Sequence, residues 1–116
     1  LTYAKNKGLP LLGICRGLQS VSHFFGVPTK LVSGHINKRH DVHGKINAEV
    51  NSFHKYTISK CPPGFDVIAR SDDGAIEAIR NDELLWECWM WHPEREKRFN
   101  VSQLERANRI LSGETV

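Results

Sequence analysis

Apolar residues along the chain come in short groups whose spacing changes from one group to the next. Leu9 to Ile14 is a continuous apolar run, the pattern of a strand covered on both faces. From Arg16 to Phe25 the apolar positions are Leu18, Val21, Phe24 and Phe25, three and four apart, which predicts a helix ended by Gly26. Residues 1–7 predict a short helix closed by Gly8, and Thr29–Val32 a short strand. Residues 33–47 are polar and rich in His, Lys and Gly, and are expected to form an excursion. Asp66–Arg70 and Ala75–Arg80 predict two strands joined by Ser71-Asp72-Asp73-Gly74, a hairpin turn. Leu84–Trp91 is a further strand. Val101, Leu104, Ala107, Ile110 and Leu111 share one face of a last helix, with Asn100 and Gln103, or Ser102 and Glu105, as capping pairs and Gly113 beyond its end. No repeat, linker or low-complexity tract interrupts this alternation, so residues 1–116 are expected to form one α/β domain.

Composition narrows the function classes. At 40% hydrophobic and 25% charged, the 116 residues can build a core, and a net charge of +3 is too mild to predict a nucleic-acid partner. No segment has the length of a membrane span. Cys15, Cys61 and Cys88 form no CxxC pair and no even framework, so reduced thiols in a cytoplasmic protein are expected. The chain opens on "LTYAKNKGLP", which resembles the last turns of a helix, and upstream sequence is expected to be missing.

"GICRG" (13–17) stands where the first strand meets the following helix. A sharp strand-to-helix turn strains the corner residue and crowds the positions two before and two after, so glycine suits both. It also places the corner side chain at a helix N-terminus, which favours a thiolate and predicts a lowered pKa for Cys15. The Arg16 backbone N–H then points where an oxyanion would form. The plain alternative is a small buried cysteine packed between strand and helix. Near the end of the chain, "WHPE" (91–94) puts His92 and Glu94 two apart in an extended segment, so the carboxylate can orient the imidazole. Cys15 as nucleophile, His92 as base and acid, and Glu94 as orienter form a complete acyl-transfer set.

With "GICRG" followed by "LQ", and with "VNSFHKYTI" (50–58), "SDDGAIEAI" (71–79) and "WHPE", the chain resembles the class I, or triad, glutamine amidotransferases. Within them it resembles the γ-glutamyl hydrolase-like branch, and more narrowly the γ-glutamyl-CDP-amidate hydrolases of capsular polysaccharide pathways. The resemblance covers nearly all of residues 8–98. It implies a doubly wound, mostly parallel sheet with flanking helices, of which this chain is the C-terminal portion. It implies hydrolysis of a γ-glutamyl amide through a cysteine thioester without metal or organic cofactor. It also implies that Gln19, Ser52, Phe53 and His54 lie at the glutamyl pocket. Two departures stand out: Met90 replaces a usual glutamine, and no glycine-rich loop supplying a second oxyanion donor precedes Leu1.

Two other groups carry possible chemistry. His35, His40 and His43 match no metal-ligand spacing and are expected to sit in a solvated, mobile loop. Lys38, Arg39, Lys45 and Lys55 fall between the elbow and His92; they are either solvated or a clamp for an anionic substrate. Trp86, Trp89 and Trp91 are expected in the core. The resulting expectation is a γ-glutamyl amide hydrolase acting on a small molecule. The alternatives are a glutaminase subunit passing ammonia to a synthetase or ligase partner, and an inert remnant serving as a binding module.

Overall fold

Short turns join strands antiparallel, whereas a parallel pair needs a long crossover; the chain uses both. The computed structural model describes residues 1–98 and 100–116. In chain order the elements are α1 (Thr2–Lys7), β1 (Leu11–Ile14), α2 (Arg16–Phe24), β2 (Thr29–Leu31), β3 (Lys38–Gly44), β4 (Ala48–Ser52), β5 (Tyr56–Ile58), β6 (Asp66–Ser71), β7 (Ile76–Asn81), β8 (Trp86–Trp89), a 3-10 turn (Pro93–Arg95) and α3 (Val101–Leu111). Six strands form one sheet in the order β1-β8-β7-β6-β3-β4, and β2 pairs with β5 in a separate ribbon. β1 runs parallel to β8, with Leu11 opposite Trp86 and Ile14 opposite Trp89. The remaining pairs are antiparallel.

Helices cover both faces, as the α/β reading expects. Leu18 and Val21 of α2 pack with Ile58, Phe65, Ile79, Trp86, Cys88 and Met90. Ile110 and Ala107 of α3 lie on the other face with Val42, Val50, Ile68, Trp89 and Trp91. All three tryptophans are buried, and Trp89 and Trp91 stack with centroids 5.3 Å apart. Asn100 caps α3 by accepting the Gln103 N–H at 3.1 Å. No helix among the described residues is long and apolar enough to cross a membrane.

Three expectations are corrected. The polar stretch 33–47 is not an excursion: residues 38–44 form β3, hydrogen-bonded to β4 and β6. Its inward side carries Val42 and the half-buried His40, whose ring bonds Glu77 at 2.9 Å, so a polar pair stands where an aliphatic residue would have announced the strand. The three histidines share no solvated loop, because His35 is buried and only His43 faces solvent. On α3 the buried positions are Gln103 and Ile110, while Val101, Leu104 and Leu111 are exposed. The helix docks instead through Arg106, whose guanidinium donates two bonds of 2.7 and 2.8 Å to the fully buried Glu87 carboxylate on β8.

Candidate active site

Cys15 follows β1 and is the N-cap of α2, at φ 50° and ψ −98°, a left-handed backbone that costs a non-glycine residue strain. Its N–H donates to Trp89 O at 2.7 Å, which ties the corner to the end of β8. The two glycines prove unequal. A Cβ on Gly13 would lie 2.9 Å from Cys88 Sγ and 3.1 Å from the Gly17 carbonyl carbon, whereas one on Gly17 would meet nothing within 4 Å. Crowding therefore explains Gly13 and not Gly17. Gly17→Ala is expected to fold and raise stability by about 0.5–1 kcal/mol through helix propensity, while Gly13→Ala costs about 1–3 kcal/mol of overpacking. Urea midpoints of the two variants check this, and a Gly17→Ala midpoint below that of the parent would overturn it.

His92 lies three residues beyond β8, the parallel neighbour of β1, so it and Cys15 follow the same ends of two adjacent strands. Its Nδ1 and Glu94 Oε2 are 2.7 Å apart, with the imidazole largely buried and the carboxylate half exposed. Asn51 of β4 holds the His92 backbone at two points: Nδ2 donates to His92 O at 2.7 Å, and His92 N donates to Oδ1 at 2.8 Å. Sequence reading passes over Asn51; its one signal is its place in the "VNSFH" segment beside Ser52. The Phe53 ring lies 6.3 Å from His92, with the Arg95 guanidinium 4.9 Å above it.

The thiol does not rest as the thiolate expected from the helix N-terminus. Burial pushes Cys15 above the ordinary thiol value, outweighing the Arg16 N–H, which faces the sulfur, and the charges of Arg95 and Arg16; Glu94 adds to the rise. Alkylation of the ligand-free protein at Cys15 by iodoacetamide should therefore stay slow at neutral pH and accelerate only above the usual cysteine range, because the thiolate population grows with pH. A rate already at its plateau by pH 7 would show a resting thiolate instead. Cys88, beneath Gly13, is pushed up to about 12 by burial.

A family profile, glutamine amidotransferase class-I, matches residues 1–107. The chain belongs to this family. It is 34% identical over 96 residues to the γ-glutamyl-CDP-amidate hydrolase of Campylobacter jejuni, covering 83% of this chain and 48% of that one. It is 30% identical over 118 residues to a glutamine-hydrolyzing GMP synthase subunit of Methanocaldococcus jannaschii, covering 93% and 60%. A glutamine amidotransferase of Thermotoga maritima superposes with a TM-score of 0.72 at 18% identity, over 96% of this chain and 52% of that one. The chain thus spans about half the length of the relatives it matches, and it shares their fold.

Within this family member the remaining predicted residues separate. Gln19 donates from Nε2 to Tyr56 O at 3.1 Å on the α2 side of the elbow. Ser52 is buried, its hydroxyl donating to His35 O at 2.7 Å, and the His54 ring is buried beside His35; of the three, Phe53 reaches His92. The four expected cations do not converge. Lys38 and Arg39 border a cleft of about 620 Å³ with Asn51, Phe53, Arg95 and Lys97, but Arg39 is spent on Glu49 and Glu96, and those contacts hold its pKa above the ordinary value. Lys45 lines a separate groove against α3, and Lys55 lines neither. Met90, at the usual glutamine position, is wholly buried in the α2-side core.

Proposed function

We infer that the protein carrying this chain hydrolyses a γ-glutamyl amide through a thioester on Cys15. The observation that carries this is the placement of a strained cysteine corner and a carboxylate-oriented imidazole at the ends of the adjacent parallel strands β1 and β8. Glu94 engages His92 Nδ1 and leaves Nε2 to take the thiol proton. The Cys15 sulfur attacks the γ-carbonyl carbon, and the Arg16 N–H stabilises the oxyanion. His92 returns the proton to the leaving nitrogen as the C–N bond breaks. Water then attacks the thioester and releases glutamate and the free thiol. Because the resting group is a thiol, the base is needed at the moment of attack, which favours a triad over a standing ion pair.

Lys38, Arg95 and Lys97 around the Phe53 cleft suit an anionic leaving group, in keeping with the γ-glutamyl-CDP-amidate named for the Campylobacter relative. The likeness to a glutamine-hydrolyzing GMP synthase subunit supports a second reading, in which ammonia passes to a synthetase. The three free cysteines fit a reducing compartment such as the cytoplasm. Glutamate release from glutamine and from phosphate-bearing γ-glutamyl amides by the full-length protein, free of other proteins, tests the assignment. Turnover without a partner is the expected result. Release only after a synthetase is added would favour the second reading, and no release in either setting would sink both.

A further inference from the structure

A second polar cluster lies beneath the segment that carries Phe53. His35 from the stretch after β2, His54 from the link between β4 and β5, and Glu77 from β7 converge there, with side chains at most 2% exposed. His35 Nδ1 is 2.9 Å from His54 Nε2, and Glu77 Oε2 is 3.6 Å from each of those nitrogens. A triangle with these sides has a circumradius of about 2.0 Å, which matches Zn–N and Zn–O bond lengths of roughly 2.0–2.2 Å. One ion raised about 0.7 Å out of that plane, toward a fourth ligand, would bond all three atoms at about 2.1 Å.

Two independent features point the same way. Glu77 Oε2 is fully buried and has no hydrogen-bond partner among the described residues, an expense that a cation at this point would remove. The outer contacts have the arrangement found around bound metals: His35 Nε2 meets Asp73 Oδ2 at 2.5 Å, and His40 Nε2 meets Glu77 Oε1 at 2.9 Å. A carboxylate on the far nitrogen of a ligating imidazole fixes its tautomer and raises its basicity. Among the described residues His54 Nδ1 alone lacks an outer partner.

We propose that His35 Nδ1, His54 Nε2 and Glu77 Oε2 form a Zn²⁺ site, with water in the fourth position. Two imidazoles and one carboxylate, with no thiolate, are a donor set that zinc accepts. The ion is structural. Ser52 Oγ and His54 N both donate to His35 O, at 2.7 and 2.9 Å, so the metal pins this turn to β7. It thereby steadies Asn51 and Phe53, which contact His92.

The test uses full-length protein carrying Cys15→Ala, so that the thiol–imidazole pair cannot bind metal, stripped with a chelator and titrated with Co²⁺ and then Zn²⁺. The expected result is one equivalent bound per chain, an intense tetrahedral Co²⁺ spectrum displaced by Zn²⁺, and a Tm that climbs with free Zn²⁺. His54→Gln should abolish binding, and Asp73→Asn, at a half-exposed position that leaves the core intact, should weaken it about 10–100-fold. His43→Ala should leave affinity unchanged, because His43 belongs to the separate exposed group with Asp41 and Asp72. A folded, stripped protein that takes up no metal would overturn the site. So would Asp73→Asn binding as tightly as its parent, or a loss of affinity in His43→Ala.

Discussion

Replacing His92 by Asn is expected to lower γ-glutamyl amide turnover by on the order of 10⁴-fold or more, since the thiol then has no base to receive its proton. The size of the effect follows from the resting state of Cys15. A thiol held above the ordinary range by burial supplies almost no nucleophile by itself at neutral pH. Glu94→Gln should do less, its loss falling roughly a hundredfold short of that at His92, because an orienting group contributes less than the base. The Glu94 side chain is 52% exposed, so water can solvate the imidazolium in its place. Glutamate release by both variants, with circular dichroism to show that each is folded, decides the matter. Equal inactivation by two folded variants would give Glu94 a different role.

The largest expected effect on stability comes from Arg106. Glu87 is fully buried in the sheet, and its carboxylate is met by Arg106, by the Trp89 indole N–H at 2.6 Å, and by Arg80 at 3.5 Å. Removing the guanidinium leaves the buried carboxylate with only the Trp89 N–H and the more distant Arg80, and Arg106→Ala should cost about 3 kcal/mol. Pairing Glu87→Gln with Arg106→Met should recover only part of that loss, because it removes the orphaned carboxylate but leaves the buried Arg80 with Asp82 as its remaining acid. Urea unfolding of the single and double variants measures both quantities. A single-variant loss below about 1 kcal/mol would mean that Glu87 is compensated by another group.

These contacts also mark where sequence patterning stops being informative. The elbow, the β6–β7 hairpin, β8 and the Asn100 cap are legible because local chemistry dictates them: a glycine flanking a corner, a turn of Asp and Gly, an amide that accepts its own helix N–H. β3 is hidden because His40 and Glu77 satisfy one another across the sheet, and a histidine breaks period-two hydrophobicity. Arg106 reads as the solvent side of a helix whose true anchor is a buried acid on β8. Asn51 acts on a backbone 41 residues away, and the group formed by His35, His54 and Glu77 comes from three segments. No spacing rule reaches across such distances. The Cys15 thiol departs from expectation for a related reason, as the helix terminus is visible in the sequence and the burial opposing it is not.

Pairing between β1 and β8 joins residues 75 positions apart, Leu11 to Trp86, while β3-β4 and β6-β7-β8 are closed by short connections. Loop-closure entropy makes the distant pairing the slow one, and hairpins zip up well before it. In the proposed mechanism Cys15 arrives on the strand that docks late, and His92 waits beyond the strand that receives it. The proposed catalytic pair therefore comes together only when the chain has committed to its full topology, so a partly folded molecule would lack it.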